Sequence, residues 1–202
     1  MNHGEFYLKR LHSLSGFFLL LFLGIHFFLN SYATAGRAAF NTAASFMQSL
    51  PHLTFLEILF LGIPIAFHGI YGLVLWYRGK GNLGRYGYFR NWMYFLQKIS
   101  GAILLMFLVI HVWGMRNAGA VAGAKIDFSA MTQHFDNPFF FVVTAVGVLA
   151  ASFHASNGLW SFLINAGILT GKKALQVWGW VCGLIFAIGL LGFIMTLISF
   201  LR

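Results

Sequence analysis

Residues 15–26 read SGFFLLLFLGIH, and residues 100–111 read SGAILLMFLVIH. Eight of the twelve positions are identical, and neither stretch contains Asp, Glu, Lys or Arg. Long uncharged apolar stretches are typical of helices that cross a membrane, and internal repeats are a common way to build membrane proteins. The pair therefore predicts two equivalent transmembrane helices, which carry His26 and His111.

A second repeated pair places another histidine after each of these helices. Residues 67–73 read FHGIYGL and residues 153–159 read FHASNGL, with Phe, His, Gly and Leu in register. The spacing is 85 residues from His26 to His111 and 86 residues from His68 to His154. We predict a single domain with one hairpin over about residues 12–78, an equivalent hairpin over about residues 97–164, and a helix outside the repeat over about residues 174–201.

The rest of the chain has the same apolar character, with 59% hydrophobic and only 8% charged residues. A helix needs about 20 apolar residues to cross the hydrocarbon core. Runs free of Asp, Glu, Lys and Arg occupy residues 11–36, 58–77, 99–115, 137–171 and 174–201. The third run is short, and we expect its helix to begin near Trp92 because Lys98 can reach the interface. The fold class predicted is an all-α membrane protein of five transmembrane helices, since barrel strands are shorter and alternate with polar residues.

The net charge of +9 does not indicate nucleic-acid binding, because the basic residues divide between the two predicted membrane sides. One side holds Lys9, Arg10, Arg78, Lys80, Arg85, Arg90, Lys98, Lys172 and Lys173, and the other holds Arg37, Arg116, Lys125 and Arg202. The positive-inside rule places the N-terminus in the cytoplasm and the C-terminus outside.

Four histidines within apolar helices indicate a function, because an ionisable group is costly inside a membrane. At 1.5 Å per residue, His26 and His111 lie roughly 18 Å from the cytoplasmic ends of their helices. His68 and His154 lie roughly 15 Å from the cytoplasmic face. We therefore predict that His26 and His111 hold an outer haem, and that His68 and His154 hold an inner one. Two imidazoles fill both axial positions of a haem iron, and such a haem transfers electrons.

The haem cannot be covalently attached, because the single cysteine, Cys182, is not part of a CxxCH motif. Histidines within a membrane can also bind zinc or relay protons. Structural zinc sites prefer clustered ligands with Cys or carboxylate, and a proton relay usually includes acids within the membrane. The only acid near a span is Glu57, so both alternatives are less favoured.

Four further stretches carry a family resemblance. Residues 6–16 read FYLKRLHSLSG, residues 40–51 read FNTAASFMQSLP, residues 88–101 read YFRNWMYFLQKISG and residues 153–162 read FHASNGLWSF. Together they resemble the dihaem cytochrome b subunit of succinate dehydrogenase and fumarate reductase in menaquinone-using bacteria. The resemblance covers nearly the whole chain and weakens over the last helix.

The resemblance implies a membrane anchor in the bacterial cytoplasmic membrane that is not an enzyme on its own. Its partners are a flavoprotein subunit and an iron–sulfur subunit on the cytoplasmic side, and a higher oligomer of the complex is compatible with it. Electrons pass from succinate through those subunits and two haems b to quinone, menaquinone in these relatives, or in the reverse direction in fumarate reduction. The axial ligands that the resemblance implies are His26, His68, His111 and His154.

Weaker predictions concern groups around these ligands. Haem propionates need donors or cations near the membrane surface. Candidates for the inner haem are Arg10, His12, Ser13, Ser15, Lys98 and Ser100, although interfacial anchoring explains them equally well. Glu57 is a candidate for proton handling at a quinone site, with a solvated helix-end acid as the alternative. We expect His3, His52 and His134 to be solvated.

Two glycines and a proline lie close to the predicted ligands in the sequence. Gly72 and Gly158 lie four residues after His68 and His154, where they would allow either the approach of a macrocycle or close helix packing. Pro64 should bend the second helix, because it leaves the carbonyl of Phe60 without its partner.

Two other functions remain open from the sequence. One is a dihaem cytochrome b anchor of another respiratory complex, of the hydrogenase or formate dehydrogenase type. The other is a non-redox transporter whose histidines bind protons or a metal.

Overall fold

A computed structural model describes residues 3–79, 81–121 and 125–201, and of residues 117–121 it describes the backbone alone. Lys80 and Arg202, which enter the charge comparison above, lie outside the described residues. All regular structure in the described ranges is helical. The helices are α1 (His3–Ser31), α2 (Arg37–Gln48), α3 (Leu53–Glu57), α4 (Ile63–Arg78), α5 (Phe89–Val121), α6 (Phe128–Phe135), α7 (Pro138–Asn165) and α8 (Lys172–Ser199), with a 3₁₀ turn at Tyr32–Ala35 and a π-helical turn at Ile58–Gly62.

The prediction of five membrane-spanning helices is confirmed. Segments long and apolar enough to cross a bilayer occupy His3–Ala35, Leu53–Arg78, Phe89–Arg116, Pro138–Asn165 and Lys172–Ser199. The third begins at Phe89, three residues before the expected start at Trp92. Many large apolar side chains on these helices are exposed, which is the arrangement that lipid acyl chains require.

Four of the spans pack as a closed ring around the repeated histidines. Helix α1 contacts α4, α4 contacts α5, α5 contacts α7, and α7 contacts α1. Helix α8 lies outside this ring against α7 and α1. Close approach is possible at Gly147 of α7, because a Cβ there would lie 2.2 Å from the ring of Phe107 on α5. The chain is therefore a four-helix bundle with a fifth helix on its flank.

The two ends of the bundle differ in charge. We call the end that carries Arg10, Arg78, Arg90 and Lys172 the basic end, and the opposite end the distal end. Hydrogen bonds across helices fasten the basic end: Arg10 Nη1 donates to the carbonyl of Asn165 (2.6 Å) and Lys98 Nζ to that of Gly79 (3.0 Å).

The second span is irregular where Pro64 interrupts its hydrogen-bond ladder. A π-helical turn covers Ile58–Gly62, directly before α4 begins at Ile63. Proline lacks an N–H and its ring collides with the preceding turn, so the backbone widens there to accommodate it. His68 lies four residues beyond Pro64. The π-helical turn therefore affects the direction in which the His68 segment of α4 joins the ring of four helices.

A small hydrophobic core caps the distal end. It consists of Ala33, Phe40, Phe128, Met131, Phe135, Leu197 and Phe200, drawn from the 3₁₀ turn, α2, α6 and the end of α8. Side-chain amides hold the two connecting helices together. Gln48 both donates to the carbonyl of Ile126 (2.8 Å) and accepts from its N–H (2.9 Å), and Asn41 Oδ1 accepts from the N–H of Phe128 (2.8 Å).

His134 belongs to this cap, and the prediction that it is solvated is wrong. Its residue is only 9% exposed, and its ring stacks on Phe140 with centroids 4.2 Å apart. Burial lowers the pKa of His134, so the neutral imidazole is favoured. His3 and His52 are exposed as expected.

Candidate functional site

The four repeated histidines meet in two pairs inside the ring of helices. The ring centroids of His68 and His154 are 6.3 Å apart, and those of His26 and His111 are 6.1 Å apart. The members of each pair lie on different helices and their ring planes are nearly perpendicular, at 89° and 84°. The structure therefore brings together the same partners that the depth comparison predicts.

The two pairs lie at different levels along the bundle. On α1, Gly16 is the residue beside the His68 ring, and His26 follows ten residues later. Ten residues of helix correspond to about 15 Å. The His68–His154 pair is thus nearer the basic end, and the His26–His111 pair is nearer the distal end.

The separation of the rings fits two imidazoles on one metal ion. A metal–imidazole bond is about 2.0–2.1 Å long and a ring nitrogen lies about 1.1 Å from the ring centre, so two opposed rings on one metal have centres about 6.2–6.4 Å apart. Among the described residues, no group of three or more His, Cys, Asp or Glu is placed to hold a metal ion. Each pair therefore offers two axial ligands and no more, which is the donor set that a metal already bound in a porphyrin plane needs.

Hydrogen bonds fix the protonation of the His68 ring. Its Nδ1 lies 3.1 Å from the carbonyl oxygen of His12 and 3.2 Å from Ser15 Oγ. The Ser15 hydroxyl donates its own hydrogen to the same carbonyl (2.9 Å), so both neighbours of Nδ1 act as acceptors. The proton of His68 is therefore on Nδ1, and Nε2 keeps its lone pair for a metal.

The same arrangement surrounds His154 in the second half of the repeat. Its Nδ1 lies 3.1 Å from the carbonyl oxygen of Gln97 and 3.3 Å from Ser100 Oγ. The Ser100 hydroxyl donates to the Gln97 carbonyl (3.1 Å). Both histidines of the basic-end pair are thus oriented by a serine and by the carbonyl three residues before it.

Glycine follows each of these serines and makes room for the imidazole. A Cβ at Gly16 would lie 2.5 Å from Cε1 of His68, and a Cβ at Gly101 would lie 2.8 Å from Cε1 of His154. Carbon atoms in ordinary contact are about 3.5–4.0 Å apart, so any side chain at these positions would displace the ring. Sequence reasoning missed this role, although the repeated Ser–Gly pair was a signal for it.

Aromatic rings support the distal-end pair. Phe22 stacks on His26 with centroids 5.6 Å apart, and Phe107 packs on His111 at 5.1 Å. Each phenylalanine lies four residues before its histidine in the repeated stretch, and therefore on the same helical face. Asn30 also approaches the His26 ring, to 3.5 Å from each ring nitrogen.

The six residues predicted to meet propionates have different surroundings. Ser15 and Ser100 contact the imidazoles described above, and His12 stacks flat on His68 with centroids 4.1 Å apart and planes 6° apart. Arg10 and Lys98 bind the backbone carbonyls of Asn165 and Gly79. Ser13 is half-buried on α1. Propionate binding by any of the six stays a prediction.

The glycines after His68 and His154 accommodate neighbouring side chains. A Cβ at Gly72 would lie 3.3 Å from Nε2 of His12, and one at Gly158 would lie 3.3 Å from Nε2 of Gln97. Gln97 was not singled out from the sequence, yet its amide donates to the carbonyl of His154 (3.0 Å) and accepts from Asn157 Nδ2 (2.8 Å).

Glu57 lies at the distal end and forms an ion pair with Arg116, which links the second and third spans. The Glu57 side chain is 33% exposed. The carboxylate is therefore held in place and still reaches the surface, as a group that exchanges protons with water must. A proton-handling role for Glu57 stays a prediction.

Two comparisons with known proteins agree with these findings. The chain is 41% identical over 183 residues to the succinate dehydrogenase cytochrome b558 subunit of Bacillus subtilis (strain 168), an alignment that covers 90% of this chain and 90% of that protein. The family described as succinate dehydrogenase/fumarate reductase transmembrane subunit matches residues 80–192. That match covers more than half of the chain and includes His111 and His154.

Proposed function

Because the chain belongs to the succinate dehydrogenase/fumarate reductase transmembrane subunit family, we propose that it is the dihaem cytochrome b subunit of such a complex. It anchors a flavoprotein subunit and an iron–sulfur subunit to the bacterial cytoplasmic membrane and carries electrons between them and quinone. It catalyses no reaction on its own. Family membership argues against the alternative that the chain anchors a hydrogenase or a formate dehydrogenase.

The observation that carries this proposal is a pair of imidazoles from different helices at each of two levels, with centroids 6.3 and 6.1 Å apart. A haem b held between each pair would supply one-electron chemistry at iron. The protein contributes the ligands, their orientation and an apolar enclosure. His68 and His154 keep Nε2 free by donating from Nδ1, and Gly16 and Gly101 let both rings lie close to the neighbouring helices.

The charge distribution supports an assignment of the two levels to membrane sides. The basic end carries most of the lysines and arginines, which favours the cytoplasm. The His68–His154 pair then holds the inner haem, next to the iron–sulfur subunit. The His26–His111 pair holds the outer haem, next to a quinone site for which menaquinone is the proposed substrate. Both directions, succinate oxidation and fumarate reduction, are compatible with this arrangement.

Purification of the tagged chain from its own membranes tests the proposal. We expect a flavoprotein and an iron–sulfur protein to copurify with it, and the dithionite-reduced minus oxidised spectrum to show haem b at two haems per chain. Succinate should reduce part of that absorption. A purified complex without haem b absorption would reject the redox function and favour the transporter alternative.

Glu57→Gln should slow quinone turnover while both haem spectra stay unchanged. Quinone reduction takes up two protons, and an amide can neither hold nor deliver one. General acid–base groups contribute about 10²–10⁴-fold, so we expect a fall of about 100-fold in the rate of succinate:quinone reduction. Glu5→Gln is the matched control, because Glu5 also forms an ion pair, with Lys9 at 2.9 Å, but at the basic end. Unchanged turnover in Glu57→Gln would reject the proton role.

A further inference from the structure

Two adjoining cavities open between α5, α7 and α8 at the basic end, and the smaller is separated from His154 by Gln97, which lines it. Their volumes are about 140 and 390 Å³, and both are lined by Arg90 and Trp160. Asn157 and Ser161 add polar groups to the smaller cavity, and Lys172 and Gln176 add them to the larger. Each cavity thus combines a cation, hydrogen-bonding groups and a tryptophan.

The Arg90 guanidinium is held in place without an acidic partner. Its carbon lies 3.5 Å from the centre of the Trp160 ring, and Trp160 Nε1 in turn donates to the carbonyl of Leu175 (3.2 Å). The acid on this end of the chain, Glu5, pairs with Lys9. Within the described residues, Arg90 and Lys172 therefore face the cavity as two cations that no acid neutralises.

Backbone groups add to the positive potential of the cavity. Helices α5 and α8 both begin here, and the first N–H groups of a helix point outward with a partial positive charge. Gly171, which precedes α8, provides no side chain to cap them. The N–H groups at the start of α8, beside Lys172 and together with Arg90, form a site suited to a phosphate group.

An apolar track leads away from the cavity along α8. Trp180 and Leu184 lie about one and two turns beyond Gln176, and Val177 follows Gln176 directly; these residues are 77%, 61% and 51% exposed. On a helix that crosses the membrane, such residues contact acyl chains. A phosphate site at the level of the lipid headgroups that continues into an apolar track matches one kind of ligand, which has a phosphodiester and fatty-acyl chains.

We propose that this cavity binds the phosphate of an anionic phospholipid, whose headgroup lies between Arg90 and Lys172 and whose acyl chains follow α8. Basic pockets between transmembrane helices bind anionic lipid headgroups in other membrane proteins. The proposal needs only that the basic end lies at a membrane surface. It does not depend on the direction of electron transfer or on the position of the quinone site.

The test is retention of lipid by the whole complex, purified in detergent and titrated with phosphatidylglycerol or phosphatidylcholine in native mass spectrometry. We expect the wild-type complex to bind phosphatidylglycerol more tightly than phosphatidylcholine. The double variant Arg90→Gln/Lys172→Gln should bind it about tenfold more weakly, since charge-assisted hydrogen bonds to the phosphate are lost. Lys173→Gln is the matched control, because it removes the neighbouring charge of α8 without altering the lining of the cavity, and its binding should equal that of wild type.

Three results would overturn the proposal. Equal losses in Lys173→Gln and the double variant would show diffuse surface charge rather than a site. Displacement of the lipid by excess inorganic phosphate would show a site for small anions. Loss of the iron–sulfur subunit with lipid retention unchanged would show a surface for protein docking.

A second variant guards against misfolding. Arg90→Lys keeps the charge but loses the planar stack on Trp160, so we expect folding with intermediate lipid retention. Haem absorption measured on each sample reports whether the complex is intact. If Arg90→Lys and the double variant both retained as much lipid as wild type, that result would also reject the site.

Discussion

Leucine in place of His68 should remove one haem b from the purified complex, and leucine in place of His154 should remove the same one. The two ring centroids are 6.3 Å apart, so on the proposed ligation the loss of either histidine would leave the iron with a single axial ligand. His26→Leu and His111→Leu should together define the other haem, because their centroids are 6.1 Å apart. In each variant we expect the haem content to fall by half, from two to one, measured by the pyridine haemochrome assay and by low-temperature difference spectra.

A matched control separates this effect from a general loss of folding. His52→Ala changes an exposed histidine in a loop and should keep both haems. The spectra of the four ligand variants should then fall into two classes, one for each pair. A common spectrum for His26→Leu and His68→Leu would contradict the pairing, because those residues lie at different levels.

Much of this site could be predicted from the sequence because the bilayer restricts the possibilities. Apolar runs define the spans, and an ionisable residue within a span is costly enough to indicate a function. The repeat then gives each histidine an equivalent, and helix rise converts position into depth. These constraints place His26 opposite His111 and His68 opposite His154 without any knowledge of helix packing.

The neighbours of the histidines could not be predicted in the same way, because they depend on how the helices face one another. Gly72 and Gly158 share a helix with their histidines, so their spacing suggests a role beside the ligand. In the structure they accommodate His12 and Gln97 of neighbouring helices, as the close-packing alternative predicts, and the approach of a macrocycle stays a prediction. The close contacts to the imidazoles come from other helices, at Gly16 and Gly101. A sequence pattern does not reveal which residues of two helices face each other.

The distal cap was missed for a related reason. Residues 37–48 and 128–135 are short segments between membrane spans, and their helices are stabilised by mutual packing rather than by length. His134 is buried only because α6 packs on the end of the bundle, against Gly114 and Phe140. Its environment is a product of tertiary structure, so its position in a loop gave the wrong prediction.

Alanine in place of Gly16 should impair binding of the same haem that His68→Leu abolishes. The added Cβ would lie 2.5 Å from Cε1 of His68, and the ring must move by about 1 Å to restore ordinary contact. That movement breaks the hydrogen bond from Nδ1 to the His12 carbonyl and misdirects Nε2. Overpacking of this size costs about 1–3 kcal/mol, which corresponds to a loss of haem affinity of about 5–150-fold.

Helix propensity makes the Gly16→Ala result decisive. Alanine favours a helix by about 1 kcal/mol over glycine, so a weakened α1 cannot explain a loss of haem. Gly183→Ala is the control, because a Cβ at that position on α8 meets no atom within 4 Å, and this variant should keep both haems. Gly101→Ala should reproduce the Gly16→Ala spectrum, since its Cβ would lie 2.8 Å from Cε1 of His154. If Gly16→Ala and Gly101→Ala affected different haems, the two imidazoles would not share a metal, and the assignment of His68 and His154 to one haem would fail.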